Sequence, residues 1–411
     1  MRVIVINTGT ELLLGDVVNT HLTFIAQQIL PLGLRVDRQI TVPDGEAIRD
    51  ALIEALPRND LAFVTGGLGP TTDDVTREIT AEILGLEMRH DVDVMAAIEA
   101  RAAARNFRLT DRIPRQANVP VGAIVLPNEF GTAPGLYFPP NVGSQQASPP
   151  LFLLPGPPRE LRPMFANHVL PLLRRIIPAA ADRLTRNYRL AGVGESHVEE
   201  AIGHKLLGIP DLELGYCAGA GEVVVRVIGT GDALSVADAL IREHYAAVIF
   251  STDEQSLEDV VVAMLREQRM TVAVAESCTG GLLAHRITNV PGASAVFAAG
   301  YVTYSNAAKT DVLRVPAELI AQHGAVSAEV ARAMADGAKD RARTTFGIGL
   351  TGIAGPSGGT GDKPVGTVFV ALAAPNHATH AIRDRFPSDR VTFKQLVTQT
   401  ALETLRRSLL R

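Results

Sequence analysis

The chain has 411 residues, which at roughly 150 residues per domain implies two or three domains and excludes a single small module. Hydrophobic residues make up 46% and charged residues 20%, enough apolar surface for several cores and too little charge for disorder. Lys and Arg number 39 against 44 Asp and Glu, a net charge of −5 that argues against a nucleic-acid-coating surface and leaves room for a local basic pocket that takes one small phosphorylated ligand.

In chain order, Val3 to Ile6 is a β-branched strand, Leu22 to Leu30 is apolar at helical spacing up to Pro31, and Leu34 to Val42 is extended. Glu46 to Leu56 is helical and Leu61 to Thr65 is a buried strand. This alternation predicts an α/β block with a mostly parallel sheet, helices on both faces and ligands at the strand ends. The block closes at Leu151 to Leu154 and the helix after Pro158, and the polar stretch between Pro139 and Pro150 reads as an exposed loop. From about Asp182 to Phe250 the order is β-α-β-β-α-β, a ferredoxin-like arrangement. After a polar boundary at Ser251 to Glu258, a third block runs through a strand at Thr271 to Ala275, a Gly-interrupted helix to Ile287, an apolar stretch at Val296 to Tyr304 and a long helix over Ala328 to Arg341. A strand at Phe346 to Leu350, a hairpin and a terminal helix complete it.

The two cysteines, Cys217 and Cys278, are too few and too distant for a disulfide framework or a metal knuckle. No signal-peptide core opens the chain and no apolar run reaches the ~18 residues that span a bilayer, so a cytoplasmic protein without membrane partners is expected.

Two sets of strand-end loops carry the chemistry. The first is Thr65-Gly-Gly-Leu-Gly-Pro-Thr-Thr-Asp-Asp-Val-Thr76. Gly66, Gly67 and Gly69 let a backbone approach a ligand, and helix-start amides with Thr71 or Thr72 suit phosphate oxygens. Asp73 and Asp74 add hard oxygen ligands for a divalent cation, or a general base. Helix capping explains an isolated loop of this kind about as well. Here the same sheet edge also receives Glu11, Asp16 and the turn containing Gly156, and convergence of Glu11, Asp16 and Asp74 on one crevice is harder to explain as capping.

The second set begins with Ala275-Glu-Ser-Cys-Thr-Gly-Gly281, where Ser277, Cys278 and Thr279 are potential nucleophiles and the amides of Gly280 and Gly281 would be free for an oxyanion. The plain alternatives are an N-cap for Ser277 or Thr279 and a buried apolar role for Cys278. Lys309, in Tyr304-Ser-Asn-Ala-Ala-Lys309, would serve as base for the serine if burial lowers its pKa; a solvated helix lysine is its commoner fate. The Gly-rich segment Thr351 to Gly366 reads as a binding lid or anion cradle, and Arg390 either contacts a phosphate or decorates the surface.

Taken together, these segments resemble the CinA family over nearly the whole chain. Gly66 to Thr76, Gln116-Ala117, Gly131-Thr-Ala-Pro-Gly135 and Leu154-Pro-Gly-Pro-Pro158 are similar to the family's three-layer α/β molybdopterin-binding-like domain. Ala275 to Gly281, Tyr304 to Asn306, Lys309, His323-Gly-Ala-Val-Ser327, Thr351 to Pro356 and Lys363 to Thr367 are similar to its C-terminal α/β nicotinamide mononucleotide deamidase domain. The resemblance implies domains at 1–176, 177–252 and 253–411, the middle one ferredoxin-like.

What the resemblance implies in function is a bifunctional hydrolase of pyridine-nucleotide salvage. Ser277 would attack nicotinamide mononucleotide with Lys309 as base, releasing ammonia without a cofactor; Cys278 is the alternative nucleophile. Cys278, Thr279, Gly280, Gly281, Tyr304, Thr351, Gly352, Lys363 and Arg390 would line that pocket. At the other site Asp74, with Asp73, Asp16 and Glu11, would hold Mg²⁺, Mn²⁺ or Co²⁺ for cleavage of ADP-ribose to AMP and ribose 5-phosphate, and Gly66, Gly67, Gly69, Thr72, Asn128 and Gly156 would bind that substrate. Partners would be these small nucleotides and a second copy in a homodimer. Two further readings stand beside this one: a non-catalytic nucleotide or pterin sensor or docking module in the N-terminal domain, and a competence or DNA-damage accessory factor. His21, Ser388, Lys394 and the Pro139 to Pro150 insertion depart from the family pattern.

Overall fold

A computed structural model describes residues 1–104, 112–143, 147–177 and 183–410. The chain divides into two compact units, Met1–Arg183 and Leu184–Arg411.

Among the described residues of the first unit eight strands form: β1 (Val3–Thr8), β2 (Val36–Val42), β3 (Leu61–Thr65), β4 (Met88–His90), β5 (Asn118–Pro120), β6 (Ile124–Leu126), β7 (Gly135–Phe138) and β8 (Leu151–Leu154). The main sheet has the order β2-β1-β3-β8-β7-β6, with β2, β1, β3 and β8 parallel and β7 and β6 antiparallel additions, while β4 and β5 pair separately. Its central strands are apolar on both faces because each face meets its own helices. Ile4, Ile6, Ala62 and Val64 pack with Ile48, Leu52, Ile79 and Ile98, whereas Val3, Val5, Leu61 and Phe63 pack with Ile25, Ile29, Phe165 and Leu173. The stretch Pro139 to Pro150, expected as an exposed loop, is partly packed in its described residues. Val142 joins the core, Ser148 is buried, and a Cβ at Gly143 would sit 1.8 Å from the Leu84 carbonyl oxygen. Residues 144–146 of that stretch and Asp182, the expected start of the middle block, lie outside the described residues.

The second unit contains two sheets. Strands β9 (Leu184–Ala191), β10 (Glu213–Gly219), β11 (Glu222–Gly229) and β12 (Ile249–Ser251) form an antiparallel sheet of order β10-β11-β9-β12, packed on helix Gly231–Tyr245 and the helical stretch from Glu195 to Leu207. This is the expected β-α-β-β-α-β order. Strands β13 (Val272–Glu276), β14 (Phe297–Val302), β15 (Phe346–Gly352), β16 (Thr367–Ala373) and β17 (His380–Arg385) form the other sheet, ordered β14-β13-β15-β16-β17. The first three are parallel and the last two continue it antiparallel. Side chains again alternate, Val272 and Val274 toward the terminal helix Arg390–Leu409, Ala273 and Ala275 toward helix Ala328–Ala342. Gly347 and Gly349 let that helix lie directly on β15, since Cβ atoms there would come 2.1 and 2.3 Å from the carbonyl oxygens of Ala335 and Ala331. Among the described residues no helix is long and apolar enough to cross a membrane.

Candidate active sites

In the second unit the chain leaves β13 at Glu276 and turns through Ser277 to Gly280 into helix Leu282–Thr288. Gly280 and Gly281 have φ of 62° and 96°, left-handed values that an L side chain rarely adopts, which is why two glycines stand there. Ser277 donates its amide to the Leu350 carbonyl at 3.0 Å, pinning the turn to β15. Across β14, the residues from Ser305 open helix Asn306–Leu313, and Lys309 points back under the turn. Its side chain is buried. Its Nζ lies 3.1 Å from Ser277 Oγ and donates to the carbonyls of Thr303 (2.9 Å) and Tyr304 (3.3 Å). Burial holds the Lys309 ammonium below the ordinary lysine range. The two residues proposed from sequence, 32 positions apart, are thus in direct contact.

Cys278 is buried in the apolar core, and burial pushes its thiol up to about 12. The expected oxyanion donors also need correction. Gly280 N donates to the Ser277 carbonyl and Gly281 N to the Glu276 carboxylate, so neither amide is free. Among the described residues no oxygen accepts from the amides of Cys278 or Thr279, which lie in the same turn.

The remaining expected pocket residues divide. Tyr304 is exposed and its hydroxyl accepts from Arg390, whose other nitrogen donates to the Gly355 carbonyl, so this trio joins the strand-end loop to the Gly-rich segment. Lys394 Nζ approaches Gly280. Lys363 donates to the His323 carbonyl at 2.9 Å. Thr351 is a structural tie rather than an exposed pocket residue, because it is buried and its hydroxyl donates to the Ala325 carbonyl. Gly352 is needed for packing, as a Cβ there would meet the Thr367 carbonyl oxygen at 2.8 Å. Sequence reasoning missed Glu276, a fully buried carboxylate beside the serine; an acid just before a Gly-Gly helix start was the available signal.

In the first unit a cleft of about 410 Å³ opens at the ends of β1, β3 and β8. Gly66, Gly67, Gly69 and Gly156 line it with Glu11, Asp73 and Asp74. Gly66 and Gly67 are again left-handed, and a Cβ at Gly69 would fall 2.4 Å from Asp74 Oδ2, so the carboxylate lies directly over this backbone. Asp74 accepts from both the amide and the hydroxyl of Thr71. Beneath the cleft, buried His21 meets Thr65 Oγ1 at 3.0 Å, and burial lowers its pKa, so the ring is neutral near pH 7.

Three expectations fail here. Asp16 is exposed beyond Gly15, whose left-handed turn ends the short helix Thr10–Leu14, and it does not line the cleft. Thr72 is exposed outside the lining as well, since the helix starts only at Thr76. Asn128 instead braces the adjoining loop, bonding the Ala133 carbonyl, Glu160 and the amides of Phe130 and Gly131.

The four proposed metal ligands therefore do not assemble, and among the described residues no group of three or more His, Cys, Asp or Glu is placed to hold an ion. Yet among the described residues the cleft is lined by five carboxylates, those of Glu11, Asp44, Asp73, Asp74 and Glu160, and by no Lys, Arg or His. That donor chemistry suits a hard cation that arrives with a phosphate, held by one or two carboxylates, rather than a resident metal cage.

Comparison with known proteins follows the same division. Residues 4–175 match the family model described as "Probable molybdopterin binding domain", 185–249 the damage-inducible protein CinA KH domain, and 254–409 the CinA C-terminal domain. A CinA-like protein of Akkermansia muciniphila is 44% identical over 405 residues, spanning 98% of this chain and 97% of its own. A CinA-like protein of Citrifermentans bemidjiense is 42% identical, spanning 100% of this chain and 98% of its own. Among solved structures, the competence/damage inducible protein CihA from Agrobacterium tumefaciens is 37% identical, covering 39% of this chain and 100% of its own with a TM-score of 0.36.

Proposed function

The chain belongs to the CinA family, and on that premise we propose that its Ser277–Lys309 site deamidates nicotinamide mononucleotide to nicotinic acid mononucleotide and ammonia. The observation that carries this reading is the 3.1 Å contact between Lys309 Nζ and Ser277 Oγ at a buried, pKa-lowered lysine. A neutral amine has two N–H bonds and one lone pair. With the carbonyls of Thr303 and Tyr304 taking the two hydrogens, the lone pair is left for the Ser277 hydroxyl proton.

Ser277 Oγ attacks the carboxamide carbon as its proton passes to Lys309. The oxyanion turns toward the amides of Cys278 and Thr279. Lys309 then returns the proton to the departing nitrogen as the C–N bond breaks, releasing ammonia and leaving an ester on Ser277. Water attacks that ester, giving its proton to Lys309. The ester C–O bond breaks and Ser277 is reprotonated. Ammonia release by the wild-type chain, lowered ~10³-fold or more in Ser277→Ala, is the expected result. Equal release by the two proteins sinks the assignment.

A second reading concerns the acidic cleft, and its lining of five carboxylates without a cation favours it. On this reading an anionic pyrophosphate would enter the cleft as a complex with a divalent cation, and Glu11 and Asp74, which line it, would be the carboxylates that hold that cation. When bound, the ion would neutralise the pyrophosphate. ADP-ribose with Mg²⁺, Mn²⁺ or Co²⁺ is expected to yield AMP, abolished by chelator. Tight binding by calorimetry without AMP would assign the domain as a nucleotide sensor instead.

A further inference from the structure

We propose that Glu276 is the positioning residue of the Ser277–Lys309 pair, a carboxylate clamp that closes the nucleophile turn into a ring; this rests on Ser277 being the nucleophile. Glu276 ends β13 and is fully buried. Its Oε2 accepts from the amides of Gly281 (3.0 Å) and Leu283 (3.1 Å), and its Oε1 from that of Ala284 (2.8 Å). An ordinary N-cap sits at the helix boundary and bonds amides two or three residues on. Here the carboxylate precedes the turn and reaches amides five to eight residues later, so Ser277 to Gly280 are held between its backbone and its side chain.

The main chain of Glu276 extends the same clamp to the base. Its carbonyl accepts from Thr303 N at 2.9 Å, and the Thr303 carbonyl accepts from Lys309 Nζ at 2.9 Å. One residue therefore fixes both partners. Without it, a turn containing two left-handed glycines has the greatest backbone freedom at the place where a few tenths of an ångström decide the Ser277–Lys309 contact. The carboxylate also occupies the positive end of helix Leu282–Thr288, so that helix start offers no oxyanion site and the turn's own amides must serve.

Glu276→Gln replaces one accepting oxygen by an N–H₂ group that faces backbone N–H donors, breaking part of the clamp at nearly constant volume. Two readouts on the full chain test the proposal: the rate at which a fluorophosphonate labels Ser277, followed by intact mass with Ser277→Ala as blank, and kcat and KM for ammonia release from nicotinamide mononucleotide. The expected result is labelling slowed at least tenfold, kcat lowered in proportion, and KM within threefold of wild type. Ile287→Val, in the core of the same helix, controls for destabilisation and should label within twofold of wild type. Labelling of Glu276→Gln within twofold of wild type, or slowed no more than Ile287→Val at equal loss of thermal midpoint, overturns the clamp. If circular dichroism shows Glu276→Gln unfolded, Glu276→Asp, one methylene too short to reach all three amides, is read by the same criteria. Wild-type labelling without ammonia release refutes the substrate while the labelling rates still decide the clamp. Absence of wild-type labelling refutes the nucleophile and the clamp with it.

Discussion

At the scale of single residues, the site depends on Lys309 being neutral. An ammonium cannot take a proton from Ser277, and burial lowers the lysine's pKa from the ordinary range near 10.5. The base form therefore grows as pH rises through the lowered value, and kcat/KM for ammonia release should climb along one acid limb that levels off below the ordinary lysine range. A flat profile from pH 5 to 9 would remove Lys309 as the base. Lys309→Arg should lose ~10³-fold or more, because a guanidinium stays charged at any usable pH. The same shift has a stability sign. Between the folded and unfolded values the unfolded chain binds more protons, so this residue's contribution makes the fold more stable as pH rises through that window. Cys278 answers differently. Its thiol, pushed up to about 12, has almost no thiolate at neutral pH, so Cys278→Ala should lose less than tenfold in ammonia release, against ~10³-fold for Ser277→Ala.

Between elements, the helix that follows the nucleophile turn is tied from its far end too. Arg286 forms a two-pronged pair with Glu258 at 2.7 and 3.4 Å and donates to Thr398 Oγ1 and Gln399 Oε1 on the terminal helix. Gln399 in turn donates to Glu222 on β11, which also pairs with Arg189. Both members of the Arg286–Glu258 pair are largely buried, so Arg286→Met strands a carboxylate. The expected cost is about 2 kcal/mol, a drop of ~4–8 °C in the midpoint of this unit by thermal melting. No drop would mean that Glu258 is relieved by water. None of this network was legible in the sequence, whereas most strands and helices were. Val3 to Ile6 announces itself as a β-branched apolar run ending at Asn7, Leu61 to Thr65 as a short apolar run between Asn59-Asp60 and Gly66-Gly67, and Pro31 marks the end of its helix. The Ser277–Lys309 contact was within reach because Ser277 follows β13 and Lys309 lies in the helix that follows β14, and these two strands are parallel neighbours. Asp16 and the Gly280 and Gly281 amides were misread for a common reason. Their fate is decided by left-handed turns and by backbone amides already taken, and neither leaves a periodic trace in residue type, whereas Thr72 was misread because its helix starts only at Thr76.

Across the molecule, every hydrophobic cluster among the described residues falls inside one compact unit, two in Met1–Arg183 and four in Leu184–Arg411. The acidic cleft and the serine site accordingly draw on separate cores. Within the second unit, however, the antiparallel sheet and the serine-bearing sheet are bound by polar contacts that a cut between them would expose. Arg406 donates to the Ala247 carbonyl at 3.1 Å while paired with buried Glu403, and Gln399 loses its acceptor if Glu222 is removed. A fragment of residues 184–411 should therefore release ammonia with kcat and KM within threefold of the full chain. A fragment of residues 253–411 keeps Ser277 and Lys309 but leaves Arg406 and Gln399 short of partners, at about 1 kcal/mol for each lost bond. It should melt several degrees below the longer fragment. Thermal melts and ammonia assays on the two fragments decide the point: equal midpoints would show that the antiparallel sheet gives the serine domain no support, and loss of activity in residues 184–411 would show that the first unit contributes to the serine site.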